Sequence, residues 1–182
     1  NIDKPTHPLK NIHLYKPELY QCSIESYNTI KDLTYLIIGN SPSRPLIERR
    51  LQEKKVKPSE FPDIVIDVSS TIQEAFLAAK HLNDTNVKLW ITLLEYAGEE
   101  SSIETLQNRG ARAGLCKSLH REWKDCHAKV VYVDPQYSLK EQVSALFDEL
   151  TSHDQLMEVF HLENERYTTI LLREEFPKKS SF

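Results

Sequence analysis

The turn after the first apolar segment is where a nucleotide would bind if this chain used one. In dinucleotide-binding folds, the pattern G-x-G-x-x-G lets the backbone approach a pyrophosphate at a helix N-terminus. The corresponding stretch here, LIIGNSPSR, contains Gly39 alone, and Pro42 and Pro45 remove two N–H groups that a phosphate would use. The sequence therefore predicts no cofactor-binding residues. We interpret the arginines of this region as a solvated helix face: Arg44, Arg49 and Arg50.

Polar residues at strand ends could instead form a phosphoacceptor site. Asp67 lies near the carboxyl end of one candidate strand, and Thr92 lies near the end of the next. Phosphotransfer at such a site needs Mg²⁺, which requires further oxygen ligands. LIIGNS supplies no carboxylate and no lysine ends AKVVYVDP, so we interpret Asp67 as a hydrogen-bonding residue at a strand end.

The spacing of histidines and cysteines predicts neither a metal site nor a nucleophile. No two of the seven histidines form H-x-x-x-H or H-E-x-x-H, and the three cysteines are too widely spaced for a zinc site or a disulfide framework. Cys116 lies in a helical pattern between Leu115 and Leu119, which is typical of a small buried hydrophobic residue. G-x-S-x-G and P-loop motifs are absent.

The composition indicates one ordinary domain of a cytoplasmic protein. The 182 residues are 40% hydrophobic and 27% charged, with neither a signal peptide nor an apolar run long enough to span a membrane. A net charge of -4 and a pI near 6.0 disfavour nucleic-acid binding. Because the chain begins at Asn1 and its single methionine is Met157, we expect a segment of a longer protein.

Strand-like and helical patterns alternate along the chain, which predicts an α/β sheet. Near-continuous apolar runs, typical of central parallel strands covered by helices on both faces, occur at residues 35–39, 63–69, 87–94 and 128–134. Capping boxes are predicted at Ser70 with Gln73 and at Ser138 with Glu141, and a weaker helix at 43–55. The apolar stripes after the two caps are Ile72, Ala75, Phe76, Ala79 and Leu82, and Leu139, Val143, Leu146, Phe147 and Leu150.

The two ends of the chain depart from this alternation. Residues 14–22, 156–162 and 166–174 look like strands without helices between them, and a turn near Asn164 would pair the last two. We therefore expect a mostly parallel sheet with antiparallel edge strands from the N- and C-terminal segments. The predicted division is a linker at 1–13, the domain at 14–174 and a linker stub at 175–182.

Three segments resemble the ketoreductase region of modular polyketide synthases. GARAGLCKSLHREWKDCHAKVVYVDPQYS is similar to a Gly-Ala-x-x-Gly-Leu-x-x-Ser-Leu-x-x-Glu-Trp helix that leads into a strand ending near Asp-Pro. LYKPELYQC resembles the opening strand of that region, and ENERYTTILLRE resembles its closing Arg-Tyr-x-x-x-Leu strand. The resemblance implies a truncated Rossmann-like fold, related to short-chain dehydrogenases/reductases, from about Leu14 to Glu174.

The resemblance is to the first, structural half of such a ketoreductase, and it implies a non-catalytic role. Matching the family's Tyr-x-x-x-Lys to this helix places Thr105 at the tyrosine and Arg109 at the lysine, with the upstream serine near Thr92. Threonine is far too weak an acid to protonate the alkoxide that hydride transfer creates. NADPH and the β-ketoacyl substrate, carried by an acyl carrier protein, would then belong to a catalytic subdomain in the same polypeptide.

The helix that carries this resemblance is predicted to pack closely. Gly110, Ala113 and Gly114 would allow a near approach to the sheet or to a partner helix, and a second apolar line comprises Leu115, Leu119 and Trp123. Two alternatives stay open: a free-standing doubly wound protein that binds a small ligand, and a degenerate active reductase using Tyr96 as its acid.

Overall fold

A computed structural model describes residues 14–24, 30–96 and 101–174, and within them the chain forms one sheet of eight strands with four helices. The strands are β1 (Leu14–Gln21), β2 (Thr34–Ile38), β3 (Lys57–Pro58), β4 (Ile64–Asp67), β5 (Leu89–Glu95), β6 (His127–Val133), β7 (Glu158–Leu162) and β8 (Glu165–Glu174). The helices are α1 (Arg44–Glu53), α2 (Ile72–Leu82), α3 (Ile103–Glu122) and α4 (Leu139–Leu150). The linkers expected at 1–13 and 175–182 lie outside the described residues.

The sheet has a parallel centre and an antiparallel edge, as the sequence predicts. Its strand order is β1-β8-β7-β6-β5-β4-β2-β3. The neighbours from β3 to β7 are parallel, whereas β8 is antiparallel to both β7 and β1. All four residues of β4 are buried, which explains why this strand is apolar without alternation.

Helices cover both faces of the sheet. One hydrophobic cluster joins α1 and α4 to the sheet through residues such as Ile47, Leu51 and Leu146. The opposite cluster joins α2 and α3 through Ala79 and Cys116, with Leu115 and Trp123 packed against it. The predicted second apolar line of α3 therefore does contribute to the core.

The direction of the chain reverses at β2. From β2, the chain passes through α1 to β3 on one side and then returns to β4 on the other side. In open α/β sheets, such a reversal leaves a crevice outside the carboxyl ends of the two diverging strands. The ends of β2 and β4 are therefore where a ligand site would be expected.

Both capping predictions can be compared with the helices. The capping box of Ser138 and Glu141 is present at α4 and is confirmed. At α2 the prediction is wrong by one residue, because the Thr71 side chain accepts from the Glu74 N–H while the Glu74 carboxylate accepts from the Ser70 N–H. The helix predicted at 43–55 is α1, with Ser43 as its N-cap.

The predicted apolar stripe of α2 is only partly buried. Ala75, Ala79 and Leu82 lie against the sheet, but Phe76 is 55% exposed. The small alanines bring the helix close to the sheet, and Phe76 lies one residue, about 100°, further round the helix. Phe76 therefore faces away from this core.

The two glycines of α3 do not lie against the sheet. A methyl group added to Gly110 or Gly114 would meet no atom within 4 Å. Ala113 is buried, together with Cys116 and Leu119 on the same face. Close packing against the sheet is therefore confirmed for Ala113 and is wrong for the two glycines, whose predicted approach to a partner helix stays a prediction.

The turn between β7 and β8 forms the expected hairpin. Glu163 and Asn164 both have positive φ, 52° and 65°. Left-handed geometry at two successive residues gives the twist that an antiparallel hairpin requires, and asparagine tolerates it better than most residues do. Glu163 accepts the same geometry without a glycine, which is why the sequence signal was weak.

Candidate functional site at the carboxyl ends of the strands

A cleft of about 1000 Å³ lies at the carboxyl ends of β2 and β4, where the chain reverses. Its walls come from the turn after β2, the turn after β4 and the first half of α3. Side chains on these walls include Ser41, Ser69, Thr71, Asn108, Arg109 and Arg112. The cleft occupies the position of a nucleotide site in this class of fold.

Gly39 in the first turn serves packing between two parts of the chain. Its φ is 87°, and a Cβ built on it would lie 2.3 Å from the Cα of Ser69. No side chain fits at that distance, so only glycine allows the turn after β2 to lie against the turn after β4. The glycine is therefore explained without a bound phosphate.

Most backbone N–H groups at the N-terminus of α1 already donate within the chain and are not free to bind an anion. The Arg44 N–H donates to the Ser41 carbonyl (2.9 Å), and the Leu46 and Ile47 N–H groups donate to the Ser43 carbonyl (both 3.1 Å). Pro45 has no N–H group. The donors that bind a pyrophosphate in nucleotide-binding folds are thus used within the turn itself.

Arg44 is also used locally. Its Nη1 donates to the Gly39 carbonyl (2.7 Å), and its Nε donates to Glu48 (2.8 Å). Arg49 is exposed on α1, and the Arg50 guanidinium lies 4.6 Å from the centre of the Phe147 ring in α4. Arg44, Arg49 and Arg50 do not line the cleft.

Asp67 is the hydrogen-bonding residue at a strand end that the sequence predicts. Its carboxylate is 1% exposed, accepts from the Ser69 N–H (2.9 Å) and lies 3.1 Å from Arg112 Nη2. Arg112 also donates to the Leu93 carbonyl (3.4 Å). Sequence reasoning did not identify this arginine, although its place beside Ala113 on the buried face of α3 is a signal that it needs an internal partner.

The residues matched to the catalytic tyrosine and lysine both line the cleft. The Thr105 hydroxyl lies 2.9 Å from the Ser102 hydroxyl, which caps α3. Arg109 Nη2 lies 3.5 Å from Glu95, and Arg109 Nη1 is buried without a hydrogen-bond partner among the described residues. The two residues therefore lie at one cleft, and their match to the tyrosine and the lysine stays a prediction.

Thr92, matched loosely to the family serine, lies elsewhere. It is fully buried and accepts a hydrogen bond from Trp90 Nε1 (3.0 Å) below α3. The tyrosine considered as a substitute acid, Tyr96, does not line the cleft and packs edge-on against Phe160 with 5.9 Å between ring centres. Among the residues that the structure describes, the cleft therefore brings together two of the three matched positions and no tyrosine.

A buried ionic cluster on the α4 side of the sheet was not anticipated. The Glu149 carboxylate, 0% exposed, accepts from Lys129 Nζ (2.8 Å), His161 Nε2 (2.8 Å) and Arg166 Nε (2.7 Å). Burial raises the pKa of Glu149, but the hydrogen bonds from His161 and Arg166 and the charge of Lys129 outweigh it, so that pKa is lowered. Asp154 completes the cluster by pairing with both Lys129 and Arg166.

Within the described ranges, the remaining polar groups form neither a reactive cysteine nor a metal site. Burial raises the pKa of Cys116 to about 12, so its thiol stays neutral. No group of three or more histidine, cysteine or acidic side chains in the described part of the chain is placed to hold a metal ion.

Solved structures with the same fold identify the architecture. The ketoreductase from the first module of phoslactomycin biosynthesis in Streptomyces sp. HK803 is similar over 92% of this chain and 39% of its own, with a TM-score of 0.61 and 12% identity. A-type ketoreductase from a modular polyketide synthase is similar over 92% and 44%, with a TM-score of 0.63 and 12% identity. The chain shares its fold with part of these polyketide synthase ketoreductases. A multidomain structure with adenylation, ketoreductase and pseudo Asub domains from a keto acid-selecting NRPS module also matches, at 11% identity and a TM-score of 0.59, over 88% of this chain and 18% of that one.

The ketoreductase fold is covered only in part. The chain spans less than half the length of these solved structures. Neither a protein-family model nor a curated protein matches the sequence. Among residues 14–24, 30–96 and 101–174, no helix has the length and apolar character to cross a membrane.

Proposed function

We propose that this chain is the non-catalytic structural half of a polyketide synthase ketoreductase, and that it stabilises a catalytic half in the same polypeptide. The observation that carries the proposal is the internal use of the nucleotide-binding turn. Its N–H groups donate to Ser41 and Ser43, Arg44 donates to the Gly39 carbonyl, and Gly39 itself packs against Ser69. A dinucleotide would have to displace these contacts to bind here.

The residues at the matched catalytic positions support the same role. Ketoreduction delivers hydride to a carbonyl carbon and leaves an alkoxide that must receive a proton. The cleft presents Thr105 and Arg109 at the positions matched to tyrosine and lysine, and an alcohol is a much weaker acid than a phenol. NADPH and the carrier-bound β-ketoacyl substrate therefore belong to the catalytic half, and contact with the acyl carrier protein is indirect.

An exposed apolar surface on α2 and α3 supports the presence of a partner. Four large side chains on these neighbouring helices are exposed: Phe76 (55%), Leu77 (64%), Ile103 (75%) and Leu106 (45%). The open positions at Gly110 and Gly114 would let another element approach the α3 backbone. We call these six residues the α2–α3 surface and assign it to the catalytic half, which would remove the apolar side chains from water.

The first test is a fluorescence titration of the folded chain with NADPH, followed by addition of a β-ketoacyl thioester surrogate. The proposal predicts neither saturable binding nor cofactor oxidation. The catalytic half, assayed in parallel, should bind and oxidise NADPH. Saturable micromolar binding to this chain would overturn the proposal.

The size of the cleft favours one alternative, a free-standing protein that binds a small ligand. About 1000 Å³ at the strand ends is large enough for such a molecule. The α2–α3 surface distinguishes the two functions, because only a structural half would use it to bind a catalytic half. Replacing Leu77 and Leu106 by glutamate should abolish association with the catalytic half under our proposal, whereas a free-standing protein would show no association to lose.

A further inference from the structure

A groove of about 180 Å³ lies between α1 and α4, on the face of the sheet opposite the α2–α3 surface. Leu46 and Val143 supply apolar atoms to its walls. Arg49, Arg50 and Lys140 supply three positive charges, and Glu53 supplies one negative charge. We call these six residues the α1–α4 groove.

Arg49 and Lys140 leave positive charge available to a partner, whereas the charge of Arg50 already acts on Asp148 in α4. None of its three cations forms an ion pair with a carboxylate among the described residues. Lys54, Lys55 and Lys57 follow at the end of α1, and all three are exposed. This concentration of positive charge stands on a chain whose net charge is -4, so it is a local feature of this face.

One of the cations is already held in position. The Arg50 guanidinium lies 4.6 Å from the centre of the Phe147 ring, and that ring is buried in the core below α4. A cation–π contact limits the side-chain freedom that binding would otherwise remove. Arg50 is therefore partly ordered before any partner arrives.

We propose that the α1–α4 groove binds an acidic helical segment of another protein domain, with one apolar side chain of that segment inserted between Leu46 and Val143. Carboxylates on either side of the inserted side chain would pair with Arg49 and Lys140 at the rim. Charge complementarity selects this partner, because the groove combines an apolar interior with two cations, Arg49 and Lys140, that form no ion pair among the described residues and outnumber Glu53. The inference goes beyond the proposed structural role and uses a different face of the molecule.

Binding at this groove should depend on salt. Its charged groups lie at an exposed rim, where added ions screen attraction and mainly slow association. The inserted apolar side chain should be insensitive to salt, since its contribution comes from removal from water. Charge and apolar contact can therefore be tested separately.

The experiment uses a fluorescein-labelled helical peptide of glutamate and alanine with one central leucine, titrated with the chain and followed by anisotropy. Two companion peptides replace the glutamates by glutamine or the leucine by alanine. The groove variant is Arg49→Glu with Lys140→Glu. The matched control is Lys80→Glu with Lys124→Glu, which makes the same charge change at exposed residues outside the groove.

We expect saturable binding of the acidic peptide to the unaltered chain and to the control, and binding about tenfold weaker or more for the groove variant. The glutamine peptide should not bind, and the alanine peptide should bind several-fold more weakly. Equal affinity for both double variants would overturn the proposal. Equal affinity for the leucine and alanine peptides would reject insertion into the groove, and binding to anionic lipid vesicles in place of the peptide would assign the face to a membrane surface.

Discussion

Replacing Glu149 by glutamine is expected to destabilise the fold strongly while preserving the shape of the side chain. Glu149 is 0% exposed and accepts from Lys129, His161 and Arg166. Glutamine keeps the volume but removes the negative charge, so the buried Lys129 and Arg166 would be left with Asp154 as their only carboxylate in the cluster. Removing one partner from a buried ion pair typically costs about 3–5 kcal/mol.

That cost is large relative to the stability of an ordinary domain, which is about 5–15 kcal/mol. For a domain of this size, it corresponds to a fall in melting temperature of about 6–20 °C. Urea unfolding at pH 7 measures the free energy directly, with the exposed Glu122→Gln as a control that should change it by less than about 0.5 kcal/mol.

The dependence of folding stability on pH provides a second test of the same ionic cluster. Because the pKa of Glu149 is lower in the folded state than in the unfolded chain, its contribution is present above the ordinary carboxyl pKa of 4.5 and is lost as the pH falls below it. Glu149→Gln should remove that part of the acid sensitivity. A change below 1 kcal/mol at pH 7, with an unaltered acid profile, would refute the reasoning.

Three further outcomes follow from particular contacts. Gly39→Ala should destabilise the fold by about 2–4 kcal/mol in urea unfolding, since its Cβ would meet the Ser69 backbone. Gly110→Ala in the open helical position should instead stabilise it by about 0.5–1 kcal/mol, and destabilisation would show that α3 packs differently. Burial, followed by the charge of Lys129, lowers the pKa of His127 from 6.5 to about 4, so the folded state binds protons less readily and stability should fall as the pH drops from 6.5 to 4. His127→Phe should reduce the loss of folding free energy between pH 6.5 and 4 by about 1–2 kcal/mol, as measured by thermal melts across this range. An unchanged loss would show that His127 is not its source.

Much of the central sheet could be predicted because its signals are local. Apolar runs marked the buried parallel strands, and the capping box at Ser138 marked the start of α4. The sequence did not predict a strand at residues 57–58. β3 consists of only two exposed residues, one of them Pro58, so it contains no apolar run that would indicate a strand.

The sequence did not determine which face each helix would cover. The β5–α3–β6 and β6–α4–β7 connections advance in the same direction along the sheet, yet α3 and α4 lie on opposite faces. The two crossovers therefore have opposite hands, although right-handed crossovers predominate in such sheets. Packing of α4 against α1, and the burial of Lys129 beside Glu149, could not be read from periodicity.

The contacts at the candidate site could not be predicted from the sequence. Thr105 and Arg109 both line the cleft, because both lie on the first half of α3. Their match to the family's tyrosine and lysine stays a prediction. The Asp67–Arg112 pair joins residues 45 positions apart, and no local pattern encodes that contact. The use of the α1 N–H groups by Ser41 and Ser43 likewise depends on the geometry of the turn.

Under the proposed structural role, a pair of the two halves has one NADPH site, and that site belongs to the catalytic half. The most direct measurement is calorimetric titration of the complex between this chain and the catalytic half with NADPH. The account predicts one NADPH per pair, together with a higher melting temperature for the catalytic half when this chain is bound, because binding to the folded state stabilises it. Two NADPH molecules per pair, or no change in that melting temperature, would contradict it.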